Sequence, residues 1–216
     1  MAKIIPAANE NSFEEVAQKI RQIEGLAGEF GLDEMQIDVS DGTFTQITVW
    51  HEPKDLVGFE TAMKLDFHLM IADMDTRVSD WLIEPAHKIT FHIESAHDPA
   101  LVLEKIKESG REAGIAINPE TPVESLEPFF GKTDSFLILG VNPGASGQGM
   151  IAGTAEKIRA LRNACGECII GIDGGVMLSN ARELAEAGAD YVVAASAIFK
   201  AEDIKKAILD LQNEIK

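Results

Sequence analysis

The sequence is short of positive charge, of cysteine and of long apolar runs, and each shortage excludes something. Lysine and arginine together number 19 against 36 aspartates and glutamates, for a formal charge of −17. So acidic a surface repels phosphate backbones and anionic lipid, so neither nucleic acid nor a membrane is an expected partner. The only two cysteines are Cys165 and Cys168. Their C-x-x-C spacing follows a helical stretch and enters a strand, unlike a thioredoxin-type pair, and no second pair exists to complete a zinc cluster. They read as structural or incidental thiols. No apolar run approaches the roughly 18 residues of a membrane span. Residues 1–10 carry no long apolar core of the secretory kind, so a cytoplasmic location is expected. The first strand-to-helix turn, PAANENS, lacks a glycine-rich dinucleotide fingerprint. No linker or low-complexity tract interrupts the chain, and one domain over residues 1–216 is expected.

What is present is regular alternation. Apolar, β-type runs lie at 3–7, 35–39, 64–70, 88–93, 114–117, 135–141, 168–172 and 191–194. Amphipathic helical stretches lie between them, at 12–27, 76–83, 99–109, 154–163 and 179–187. Ser12 (with Glu15 three residues on), Asp98 before Pro99, and Ser179 mark helix starts. Runs such as FLILGV are apolar throughout, which suits a parallel strand covered on both faces. Strand and helix in strict alternation mean parallel βαβ units. About eight units in 216 residues leave room for little but a closed (β/α)₈ TIM barrel, an α/β fold.

In such barrels catalytic groups gather at the C-terminal ends of the strands. Those ends here carry Asp38 and Asp41, His68, His92 and Glu94, Asn118, Asn142 and Asp173, while the rest of each strand is apolar. A lone polar residue at a strand end is an ordinary loop start. Carboxylates and imidazoles on successive ends would face one another around one mouth. Glycine-rich turns follow the late strands: NPGASGQ at 142–148, Asp173-Gly174-Gly175, and the Ala195–Ser196 turn. Backbone N–H groups at the ends of strands seven and eight are a common phosphate site in barrels. Such a site needs no lysine, which reconciles an acidic chain with an anionic ligand.

The segments IDVSDG (37–42), DFHLMI (66–71), ITFHIES (89–95), GIAINPETPVE (114–124), VNPGASGQ (141–148), IDGGV (172–176) and AGADYVVAASAIF (187–199) resemble those of the ribulose-phosphate 3-epimerase family, in its order and at its spacings. The resemblance implies a cytoplasmic, oligomeric sugar-phosphate isomerase that interconverts D-ribulose 5-phosphate and D-xylulose 5-phosphate. It implies a divalent ion (magnesium, manganese, iron, cobalt or zinc) held by two histidines and two aspartates, with the aspartates as acid and base on opposite faces of the substrate. Asp38 and Asp173 fall at the aspartate positions and His68 at the second histidine, while Gln36 occupies the first. Gly144, Gly147, Gly174, Gly175, Ala195 and Ser196 fall at the phosphate and substrate loops. His92, Glu94 and Asn142 fall at supporting positions.

Departures from the family pattern cluster in the site. Gln36 is a neutral, harder and weaker ligand than histidine, better matched to magnesium or manganese than to zinc. Asn9 or Glu10 stands near the place of an early serine, Ser40 replaces a methionine, Ala195 replaces a glycine, and residues 43–51 lack a usual Pro-Asn pair. Two other readings stay open on these grounds: a lyase or decarboxylase of the same barrel superfamily, and a phospholigand-binding barrel without catalysis. The absence of lysine from every strand end argues against a Schiff-base aldolase.

Overall fold

The computed structural model describes residues 2–144 and 147–216. Eight strands run β1 Lys3–Ala8, β2 Glu34–Val39, β3 Lys64–Leu69, β4 Ala86–His92, β5 Glu112–Ile117, β6 Ser135–Leu139, β7 Ile170–Asp173 and β8 Tyr191–Ala194. Each pairs in parallel with the next, and β8 pairs with β1, so the sheet closes into a barrel. All strand C-termini therefore open at one mouth. The helices are α1 Phe13–Glu24, α2 Ala27–Phe30, α3 Met74–Arg77, α4 Pro99–Glu108, α5 Thr154–Ala164, α6 Ala181–Glu186, α7 Ser196–Phe199 and α8 Ile204–Glu214. No helix among the described residues is long and apolar enough to cross a membrane.

Local signals explain several boundaries. Ser12 caps α1 by accepting from the Glu15 N–H, and Asp98 caps α4 by accepting from Ala100 and Leu101. Ser179 is not a cap; α6 starts behind Asn180, whose Oδ1 instead accepts from the Met177 N–H. The expected helix over 76–83 is one α-turn followed by a 3₁₀ turn at Val78–Trp81. Short 3₁₀ segments at Pro53–Leu56 and Val123–Phe129 replace full helices after β2 and β5. The turn at 194–197 opens a short helix, as expected, in α7, and α8, which no expectation covered, completes the outer layer. Cys165 and Cys168, expected as thiols, are joined as a disulfide across the turn into β7, their Cα atoms 5.5 Å apart.

The main core lies between strands and helices, built from outward-facing residues such as Ile37, Phe67, Phe91, Ile115 and Ile172. The barrel interior is divided. Ile5, Ala7, Ala116, Leu137, Leu139, Tyr191 and Val193 form a small apolar cluster. The inner faces of β2–β4 are polar and buried: Gln36, Asp38, Asp66, His68, Lys88, Thr90 and His92. Register sets Gln36 beside Asp66, Asp66 beside Lys88, Asp38 beside His68, and His68 beside Thr90.

The lower half of this polar strip is a buried ion pair. Lys88 Nζ lies 2.9 Å from Asp66 Oδ2 and 3.8 Å from a Glu34 carboxylate oxygen, and donates to the Tyr191 hydroxyl at 3.4 Å. The Thr90 hydroxyl donates to both Asp66 oxygens, at 2.8 and 3.0 Å. Burial works against the ammonium, but the charges of Asp66 and Glu34 raise its pKa, so Lys88 is a cation. Tyr191 reaches this network only because Gly171 faces it: a Cβ on Gly171 would meet the ring at 2.1 Å.

Candidate active site

Four inner-face side chains converge at the mouth from three strands. β2 carries Gln36 and Asp38 two residues apart, hence on the same face. His68 stands beside Asp38 on β3, and Asp173 ends β7. His68 Nδ1 lies 3.2 Å from Asp38 Oδ1 and 3.4 Å from Asp173 Oδ2. The Gln36 amide nitrogen donates to the same two oxygens, at 2.8 and 2.7 Å, and sits 3.4 Å from His68 Nδ1. Single ligand atoms of Asp38, His68 and Asp173 all fall within 4.8 Å of one another.

Two carboxylates this close cannot both ionise freely. Burial raises the Asp38 carboxyl, but hydrogen bonding and charge from His68, with the amides of Asn9 and Gln36, outweigh it and hold the group below its ordinary value. Burial and the charge of Asp38 push Asp173 up, against His68 and Gln36. Burial disfavours charge on His68 too, yet hydrogen bonds and charges from Asp173 and Asp38 carry its pKa up to about 10. Without a cation the cluster therefore holds an imidazolium between two unequal carboxyls.

Behind His68 lies a second imidazole. His68 Nε2 is 2.9 Å from His92 Nε2, and His92 Nδ1 faces Glu94 Oε2 at 3.4 Å. Burial and the charge of His68 lower His92 to about 4, so it is neutral. Its Nε2 accepts from His68 Nε2–H, which assigns the His92 proton to Nδ1. Burial would raise Glu94, but the nearby His92 ring and hydrogen bonds from Thr121 and the Asn118 N–H bring it to about 2. This arrangement leaves His68 Nδ1 as the atom facing the carboxylates in either charge state.

Several strand-end residues serve other contacts. Asp41 turns away to Arg77 and to the backbone and hydroxyl of Thr43. It also anchors an excursion over 41–48, closed by a bridge from Asp41 to Thr48 and by Ser40 Oγ bonding to Thr45 and Ile47. Phe44 from this excursion packs on His92, ring centroids 4.8 Å apart. Asn142 is exposed, and its carbonyl accepts from Gln148, so it stays outside the cluster. Of the expected mobile turn at 142–148, Ala145 and Ser146 lie outside the described residues.

Asn9 settles the choice between Asn9 and Glu10. Its amide donates to Asp38 Oδ2 at 2.9 Å and to the Gly144 carbonyl at 3.2 Å, tying the sixth loop to the cluster; Glu10 pairs with Lys19 outside. Asn9, Asp38, His68, Asp173, Gly144, Gly147, Gly174, Gly175, Ala195 and Ser196 line one cavity of about 50 Å³, with Met70 and Val141 on its apolar side. At Gly174 and Gly175 (φ 93° and 73°) a Cβ would strike Val141 and the Met150 backbone at 2.4 and 2.7 Å. Only glycine lets the sixth and seventh loops meet there. Sequence reasoning missed Met70 at the cavity and Phe44 against His92, because nothing marks an apolar side chain as facing a mouth.

The His68 shift has a measurable consequence. A base whose folded pKa is raised contributes stability that is complete below its unfolded value, about 6.5, and is lost as pH climbs through the folded value. Thermal melts of chelated protein should fall between pH 6.5 and 10, and His68→Gln should flatten that limb. Parallel curves for the two proteins would refute the assignment.

Comparison with known proteins agrees with this geometry. Residues 3–199 match the Ribulose-phosphate 3 epimerase family. The chain is 36% identical over 217 residues to the ribulose-phosphate 3-epimerase of Synechocystis sp., covering 97% of this chain and 93% of that one. It is 37% identical over 191 residues to the ribulose-phosphate 3-epimerase of Escherichia coli K12, covering 86% and 85%. Among solved structures, orotidine 5'-phosphate decarboxylase from Pyrococcus horikoshii superposes with a TM-score of 0.68 at 15% identity, over 98% of each chain. That last likeness concerns the fold alone.

Proposed function

The chain belongs to the ribulose-phosphate 3-epimerase family, and we propose that it is an isomerase that interconverts D-ribulose 5-phosphate and D-xylulose 5-phosphate through Asp38 and Asp173. The carrying observation is two buried carboxyls held together by one imidazole and one amide yet pushed in opposite directions. Epimerisation next to a ketone removes a proton from C3 on one face and returns one on the other. That asymmetry suits Asp38, the carboxyl held low, to accept a proton and Asp173, the carboxyl pushed up, to donate one. The reverse conversion starts from the exchanged state, and a further turnover of the same sugar requires each carboxyl first to exchange its proton with solvent.

The donor set fits a divalent cation. Two carboxylate oxygens and an imidazole nitrogen lie 3.2–3.4 Å apart across His68, near the roughly 3 Å between neighbouring ligands of an ion with bonds of about 2.1 Å. Asp38, His68 and Asp173 would hold it, and it would neutralise the negative charge that develops on the substrate oxygens. The phosphate would rest on the backbone of Gly174, Gly175, Ala195 and Ser196, with Gly144 and Gly147 closing from the sixth loop. Gly144 and Gly147 of the sixth loop border this cavity, so closure there over a bound substrate would exclude water.

The test is the conversion itself, measured on chelated protein with magnesium, manganese, iron(II), cobalt or zinc restored in turn. Turnover restored by a cation supports the reading; a folded sample inactive with every ion would defeat it. His92→Leu should lower kcat/KM by roughly ten- to a hundredfold, as when the partner that orients a ligand histidine is lost. Glu94→Gln should have a smaller effect in the same direction. Unchanged kinetics in His92→Leu would mean that His92 only packs.

A further inference from the structure

Gln36 is fully buried, and its amide is aimed into the carboxylate cluster. Its nitrogen takes up both carboxylates, while its oxygen, also buried, has no partner among the described residues. An amide nitrogen is a donor and cannot ligate a cation; the oxygen can. The two orientations therefore exclude each other. With no ion present, an inward oxygen would face two carboxylates and be repelled. With an ion between the carboxylates, the inward N–H₂ would be repelled instead.

Resting on the epimerase reading of this site, we propose that the Gln36 amide turns over when a cation enters. Its Oε1 thereby becomes the fourth protein ligand and biases the site toward hard ions, magnesium and manganese, over zinc. A half-turn about the last side-chain bond exchanges the two atoms and costs no backbone movement. It places Oε1 where Nε2 now stands, 2.8 and 2.7 Å from the carboxylate oxygens and 3.4 Å from His68 Nδ1. Those are separations of neighbouring ligands around one ion. The resulting set is three oxygens and one imidazole, and a carbonyl oxygen in place of a nitrogen weakens zinc more than it weakens manganese. The orphaned oxygen is thus the half of a two-position ligand that the ion-free cluster leaves idle.

The experiment uses the full chain, stripped by chelation and dialysis. Manganese binding is read from its paramagnetic resonance signal, and zinc binding from competition with a chromophoric chelator, for wild type, Gln36→Leu and Gln36→His. Gln36→Leu should lose manganese affinity by tenfold or more. Gln36→His should raise the ratio of zinc to manganese affinity by at least tenfold over wild type. Should Gln36→Leu fail to fold, the wild-type Gln36 side-chain amide signal in a ¹⁵N correlation spectrum decides, since it must move when magnesium saturates the site. Manganese affinity in Gln36→Leu equal to wild type, a Gln36 amide signal unmoved by magnesium, or equal metal ratios in wild type and Gln36→His would each overturn the proposal. So would a wild-type chain that binds no cation. In that last case turnover of D-ribulose 5-phosphate in the presence of chelator would still uphold the epimerase reading, so the two can fail separately.

Discussion

Asp38→Asn and Asp173→Asn should each lower turnover of D-ribulose 5-phosphate by roughly a thousandfold, within the range that one acid–base group contributes, and neither should unfold the barrel. Asparagine keeps the shape of each side chain but loses the negative charge, and with it both the capacity to carry a proton and much of the hold on a cation. The two variants should also differ from one another. In deuterium oxide, a chain with one working carboxylate can still remove and return a proton on one face. Each variant should therefore exchange the C3 hydrogen of at most one of the two sugars, without inverting it, and the two should choose opposite sugars. Rates near wild type in either variant, or exchange from both sugars in both, would sink the two-carboxylate assignment. The asymmetry between an Asp38 held low and an Asp173 held high belongs to the metal-free cluster.

The second large effect concerns stability and lies at the other end of the barrel. Lys88→Ala should destabilise the fold by about 3–5 kcal/mol, because it strands a buried carboxylate. For a chain of this size that corresponds to a fall in Tm of roughly 6–20 °C. Asp66 is 1% exposed, so little water can compensate the missing charge. Lys88→Met combined with Asp66→Leu should recover most of the loss, since a buried pair replaced whole by apolar residues is often neutral or better. A double variant no more stable than Lys88→Ala would show that packing against Tyr191, not charge, is what Lys88 supplies. Both proteins should retain turnover, because the pair sits below the mouth.

The eight strands were legible because their chemistry is local. Continuous apolar runs of four to seven residues, spaced by amphipathic stretches, admit few arrangements, and β8 falls at the expected 191–194. Errors fell where local signals were weak. The 76–83 stretch is broken after one turn, and two crossovers use 3₁₀ segments because their loops carry too few helical residues to cover a strand with an α-helix. Asp38, His68 and Asp173 stood out as polar residues at strand ends, but the strands below them are not apolar throughout as expected: β2, β3 and β4 also carry Gln36, Asp66, Lys88 and Thr90 inward. Asp41 had the same signature and went instead to Arg77, a partner 36 residues away that no local pattern names.

The sequence by itself determined the barrel and put Asp38, His68 and Asp173 at its mouth, because alternation and strand-end polarity are properties of neighbouring residues. Only the tertiary structure decided what those groups are. Whether His68 is charged and His92 neutral, which carboxyl is held low, and which atom of Gln36 faces inward all depend on contacts between residues up to 137 positions apart. Proton affinity and amide orientation follow from burial and from the charges within a few ångströms, and those quantities do not exist until the strands have closed.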